Sequence, residues 1–148
     1  MATMIKFRAW YMPFGKYGAM QEMVFSRASH ILALAETEPE KYIPEQFTGL
    51  KDVNGKEIYE GDIIQYSDHF YEHSMGGVTD REAEYIGNVV KNTGAFGILI
   101  NRISYTDAHI NHYNAKDFVP FCEFDDPEAD MLLKGNVHEN AELLEADK

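Results

Sequence analysis

Apolar and polar positions alternate with a period of two in several short runs and follow a helical period in one. Ile5, Phe7 and Ala9 alternate with Lys6, Arg8 and Trp10, the pattern of a strand with one buried face. Met12 to Gly18 (MPFGKYG) carries a proline and two glycines and predicts a turn or short loop. Met20 to Phe25 fits either a return strand or the head of the next segment, EMVFSRASHILALAET. That segment sets Met23, Ala28, Ile31, Leu34 and Ala35 close to one helical face and stops before Pro39, so a helix is expected from about Ser26. Ile43 to Phe47 reads as a short strand.

Further on, Ile58 to Tyr66 (IYEGDIIQY) is a strand pattern with a glycine inside it, pointing to a bulge or close backbone approach. Ser67 to Arg81 is polar, contains Gly76-Gly77 and is expected to be a loop. Glu84 to Asn92 and Ala95 to Asn101 are β-rich, and Asn92-Thr93-Gly94 between them predicts a tight hairpin with Gly94 in the left-handed region. Phe118 to Phe124 is a strand with Pro120 at an edge or bulge; Met131 to Val137 closes the sheet, and Ala141 to Ala146 forms a short helix. Short strands separated by turn chemistry predict a mainly β fold, a small antiparallel barrel or curled sheet with added short helices, in one domain spanning 1–148.

The densest run of charge and glycine, FTGLKDVNGKEIYEGDII (Phe47 to Ile64), admits two readings. As a cation loop it offers Asp52, Asn54, Gly55 and Glu57, but a calcium loop needs ligands over about 12 residues between two helices. Here Ile58 and Tyr59 interrupt the pattern and the flanks are strand-like. As a turn it needs no ligand. Asp52 caps the backbone two residues on, Asn54-Gly55 suits a type I′ hairpin turn, and Gly61-Asp62 supplies a second bend.

The same stretch carries a resemblance. IKFRAWY, QFTGLKDVNGKEIYEGDIIQY, GNVVKNTGAFGILI and the closing LLKGNVHENAELLE resemble the YopX family of bacteriophage and prophage proteins, nearly end to end. The TGLxDxxGxxIYEGDI-like string at Thr48 to Ile63 is long and specific. The resemblance implies a small β-rich fold with an SH3-like barrel element and no assigned activity, so no catalytic residues carry over. Phe25 to Ile43 and Ser67 to Arg81 depart from the family pattern.

Composition narrows the function. The 148 residues carry a net charge of −12, and from Glu123 onward nine carboxylates stand against two lysines. Such a field repels phosphate backbones and disfavours generic nucleic-acid binding. The one cysteine, Cys122, excludes an internal disulfide and suits a reducing compartment; flanked by Val119, Phe121 and Phe124, it is expected to pack in the core. No apolar run approaches the roughly 20 residues of a membrane span, so a cytoplasmic protein with no membrane partner is expected.

Three constellations could carry chemistry. His69 to His73 (HFYEH) matches the H-x-x-E-H zinc pattern, in which a helix brings His69 and His73 together with Glu72 as base. The long helix and third ligand are missing from the sequence, and the pattern is read as non-catalytic. Asp107, His109 and His112 are read as a polar surface loop, and His30 as a boundary residue of the helix. Lys6, Arg8, Trp10, Lys16 and Tyr17, with Arg27, are the best case for stacking and phosphate contact. Neither catalytic, cofactor nor metal residues are assigned. The expectation is a non-enzymatic accessory protein that contacts another protein, including a second copy of itself, through Ile31, Leu34 and Ala35. A nucleic-acid-associated role, including DNA mimicry, is the alternative.

Overall fold

The N-terminal run forms β1 (Phe7–Tyr11), but as an inner strand of a four-stranded sheet it is covered on both faces: Arg8, Ala9 and Trp10 are all buried and Ile5 is exposed, where the alternation predicts one buried face. The computed structural model describes residues 5–105, 118–124 and 126–144. β1 pairs antiparallel with β2 (Glu22–Ser26) on one side and β3 (Tyr42–Lys51) on the other, and β4 (Glu57–Tyr59) lies beyond β3. Of the two readings of Met20 to Phe25 the return strand holds: Met23 and Ser26 lie in β2, not on the helix, which begins only after it as α1 (Ala28–Thr37). α1 packs on β1 with Ile31 fully buried, and Ala9 is equally buried. These elements make the first of two compact units, Met1–Leu50 with Glu57–Glu60.

The second unit, Lys51–Lys56 with Gly61–Lys148, holds a five-stranded antiparallel sheet in the order β8-β7-β6-β5-β9. Its strands are β5 (Asp62–Ser74), β6 (Gly77–Asn92), β7 (Ala95–Tyr105), β8 (Phe118–Pro120) and β9 (Met131–Asn136). Ile63, Ile64, Val89, Ile98 and Met131 are almost wholly buried and form its core, each Ile contributing about 2–3 kcal/mol of transfer free energy. The short α2 (Pro127–Asp130) leads into β9, and single 3₁₀ turns occupy Phe121–Glu123 and Ala141–Leu144.

The fold is mainly antiparallel β with short helices, as the pattern predicts. Each sheet order has two distinct ends, so closure into an SH3-like barrel is not seen among the described residues. Four further expectations are corrected. Ile58 to Tyr66 is two strands in different sheets, because Gly61 takes φ +85° and breaks the run. Ser67 to Arg81 is no loop but the arms of the β5–β6 hairpin, with Ser74 facing Gly77 across Met75-Gly76. Its polar sequence concealed a continuous ladder. Cys122 is exposed, since the 3₁₀ turn buries Phe121 and rotates its neighbour outward.

The fourth correction concerns turn type. A type I′ turn needs positive φ at both central residues, and Asn54 does not have it. Instead Gly55 N–H donates to Asp52 O (3.0 Å), Asp52 N–H to Lys56 O (2.8 Å), and Gly55 follows the turn at φ +82°. The type I′ geometry occurs at the β6–β7 hairpin, where Asn92 faces Ala95 and both Thr93 (φ +49°) and Gly94 (φ +86°) are left-handed.

Candidate functional site

The first unit gathers exposed apolar side chains around a loop that one glutamine holds in shape. Trp10 Nε1 donates to Gln21 Oε1 (2.9 Å), and Gln21 Nε2 donates to the carbonyls of Lys16 (2.8 Å) and Gly18 (2.9 Å). The loop between β1 and β2 is thereby folded back on itself, with Met20 at φ +62°. Phe14, Tyr17 and Met20 are left facing outward at 69, 91 and 75% exposure. Nothing in the sequence marks Gln21 for this role, because its partners are backbone carbonyls.

Beside β2 lies an open groove of about 430 Å³ in the same unit. Ile5, Phe7, Phe25 and Tyr59 supply its apolar lining, and Lys6, Arg27 and Glu57 its charge. Phe25 is 64% exposed and meets the buried Tyr59 edge-on at 6.1 Å. Tyr59 also packs against Phe47 at 5.5 Å. Of these rings Phe25 is the exposed one, while Phe7 and Phe47 are half-buried.

Three of the cations of the nucleic-acid reading, Lys6, Arg8 and Lys16, are engaged within the unit, while Arg27 is exposed. Arg8 is buried, its Nε 2.9 Å from Glu45 Oε1, with the guanidinium over the Tyr59 ring at 4.7 Å. Lys6 pairs with Glu57 and lies over Phe47, and Lys16 lies over Tyr17. Trp10 is 4% exposed and offers no face for a base to stack on. Burial of a charge is tolerated only when it is paired, so Arg8 is held by Glu45 and withheld from a ligand.

The proposed contact residues on α1 separate. Ile31 is fully buried, Leu34 and Ala35 are half-buried, and Leu32 faces solvent. His30 is exposed, its Nδ1 2.8 Å from Ser26 Oγ. His69, Glu72 and His73 fall on β5, a strand where the zinc pattern needs a helix, and their side chains lie outside the described residues. Asp107, His109 and His112 also lie outside them. Among the described residues no three His, Cys, Asp or Glu side chains converge, and no helix is long and apolar enough to cross a membrane.

The turn residues are placed as a cap. Asp52 is buried, and its carboxylate accepts the N–H groups of Asn54 (2.9 Å), Lys56 (2.9 Å) and Leu133 (3.0 Å). Burial pushes its pKa up, but these backbone hydrogen bonds and the Lys56 charge outweigh that, and it sits below the usual carboxylate range. Gly61 N–H donates to Val89 O and Gly61 O accepts from Val137 N, fixing the start of β5, where Asp62 is buried. These are folding roles within the second unit.

The crystal structure of protein EF1440 from Enterococcus faecalis is similar over 97% of this chain and 100% of that one, at 22% identity and a TM-score of 0.48. No curated protein matches. The family described as YopX protein matches residues 6–145, nearly the whole length and including the Thr48 to Ile63 string and the closing glycine–asparagine segment. The chain belongs to the YopX family.

Proposed function

We propose that this YopX-family protein acts without catalysis, as a phage or prophage accessory protein that binds another protein through the first unit. The carrying observation is the set of outward-facing Phe14, Tyr17 and Met20 on a loop that Gln21 holds in place. A rigid loop loses little entropy on binding, so its aromatic area goes into affinity. The net charge of −12, most of it carried outside the first unit, draws a basic partner at long range. Engagement of Lys6 and Arg8 by Glu57 and Glu45 supports a protein partner over a nucleic acid.

Affinity capture from bacterial host cells, with and without nuclease, tests this reading. The wild-type chain is expected to retain a protein partner after nuclease treatment, and the F14S/Y17S variant to lose it while melting like the wild type. Recovery that disappears with nuclease would favour the nucleic-acid role instead.

A further inference from the structure

A sheet edge exposes unpaired N–H and C=O groups, and folded proteins protect such edges with brevity, proline, lysine, bulges or a covering segment. Three of the four sheet ends here are protected in one of these ways. β4 has three residues, and β8 has three and ends at Pro120. β9 carries a bulge, while Val53 N–H donates to its Met131 O and Asp52 accepts from its Leu133 N–H. β2 has five residues, EMVFS, with no proline, lysine or bulge, and among the described residues its one strand partner is β1.

We propose that β2 pairs with β2 of a second copy of this chain, antiparallel about a two-fold axis at Val24, joining the two four-stranded sheets. A two-fold axis normal to the sheet requires this kind of self-complementary register. Val24 then faces its own copy, Met23 faces Phe25, and Glu22 faces Ser26. The exposed Phe25 is covered by an apolar neighbour, and no like charges meet across the pair. Arg27, one position beyond Ser26, brings a positive charge near the Glu22 of the second copy.

The electrostatics do not oppose this contact. Gln21 to Arg27 is neutral, with one acid and one base, while the chain carries −12. Two copies repel at long range but not at this edge, so added salt should tighten the dimer by screening the repulsion. The inference shares with the functional proposal only its reliance on protein contact, and it uses a different surface from the Phe14–Tyr17 loop.

Sedimentation velocity on the full chain tests it, at concentrations up to ~200 µM, well above micromolar dissociation constants. The wild type is expected to dimerise, more tightly at roughly 0.5 M salt than at 0.05 M. Phe25→Lys should give a monomer with unchanged circular dichroism and melting, while L34E stays dimeric. In a C122S background, Val24→Cys should form a disulfide dimer with diamide as oxidant, because facing Cβ atoms on paired strands approach to about 4.5 Å, from which a small shift reaches the roughly 3.5–4.5 Å of a disulfide. A monomeric wild type overturns the proposal and leaves β2 for a foreign strand. A dimer that survives F25K but dissociates in L34E moves the contact to α1. Should F25K fail to fold, absence of the V24C cross-link is itself decisive against self-pairing.

Discussion

Asp52 decides more of the local structure than any other single side chain in the signature stretch. One carboxylate satisfies three backbone donors, two in its own turn and one on β9, while almost fully buried. Asp52→Ala orphans all three and is expected to cost about 2–4 kcal/mol, measured by urea unfolding. Its folded pKa is depressed, so its stabilisation is present above the unfolded value of about 3.9 and is lost as pH falls through the folded pKa. Stability of the wild type should therefore decline more steeply below about pH 4 than that of D52N, which is less stable at neutral pH. Parallel acid dependences in the two proteins would show that Asp52 is not the linked group. Thr93 presents the opposite case. A β-branched residue at φ +49° in a type I′ turn is strained. Thr93→Asn is expected to raise stability by roughly 0.5–1.5 kcal/mol, and an unchanged or lower melting temperature would refute the strain.

At the scale of elements, β9 and the segment after it explain why the closing GNVHENAELL has its composition. Lys134 is the extra residue of a bulge, since Ile63 faces Gly135 and Ile64 faces Leu133. A Cβ on Gly135 would overlap the Asn140 side chain, whose Oδ1 accepts Asn136 N–H, and Asn136 Oδ1 in turn accepts from His138 and Glu139. Gly135→Ala is expected to destabilise by about 2–3 kcal/mol, and N140G should recover part of that loss in the double variant. Additive losses would mean the two positions are not in contact. Such elements were legible to different depths. α1 and the Thr93-Gly94 hairpin could be read because periodicity and turn residues act locally, whereas β1 was legible as a strand but not as one buried on both faces, which depends on its neighbours in the sheet. The arms of the β5–β6 hairpin could not, because residues such as Asp68, Glu72 and Asp80 interrupt any apolar alternation, and the order comes from a backbone ladder across Met75-Gly76 that side-chain polarity does not report. Gly61 was visible as an interruption, but that it divides β4 from β5 between two sheets depends on where Val89 and Val137 come to lie. The exposed loop of Phe14, Tyr17 and Met20 read as a turn without a role, since Gln21 organises it through backbone carbonyls.

For the whole molecule, charge and pairing together bear on the nucleic-acid alternative. A protein that binds phosphate backbones generically does so through free Lys and Arg side chains whose contacts release counterions. Here the chain carries −12, Arg8 is buried against Glu45, and Lys6 is paired with Glu57. Trp10, the natural stacking platform, is buried with its indole N–H committed to Gln21. Non-specific binders show dissociation constants of about 1–100 µM at physiological salt and bind far more tightly as salt is lowered. This protein is expected to leave both single-stranded and duplex oligonucleotides unshifted at ~50 mM salt and ~50 µM protein, the condition most favourable to electrostatic binding. A complex that forms there and weakens steeply with added salt would mean that Arg27, Lys16 or residues outside the described set create a basic face strong enough to override the net field. The functional proposal would then pass from a protein partner to a nucleic acid.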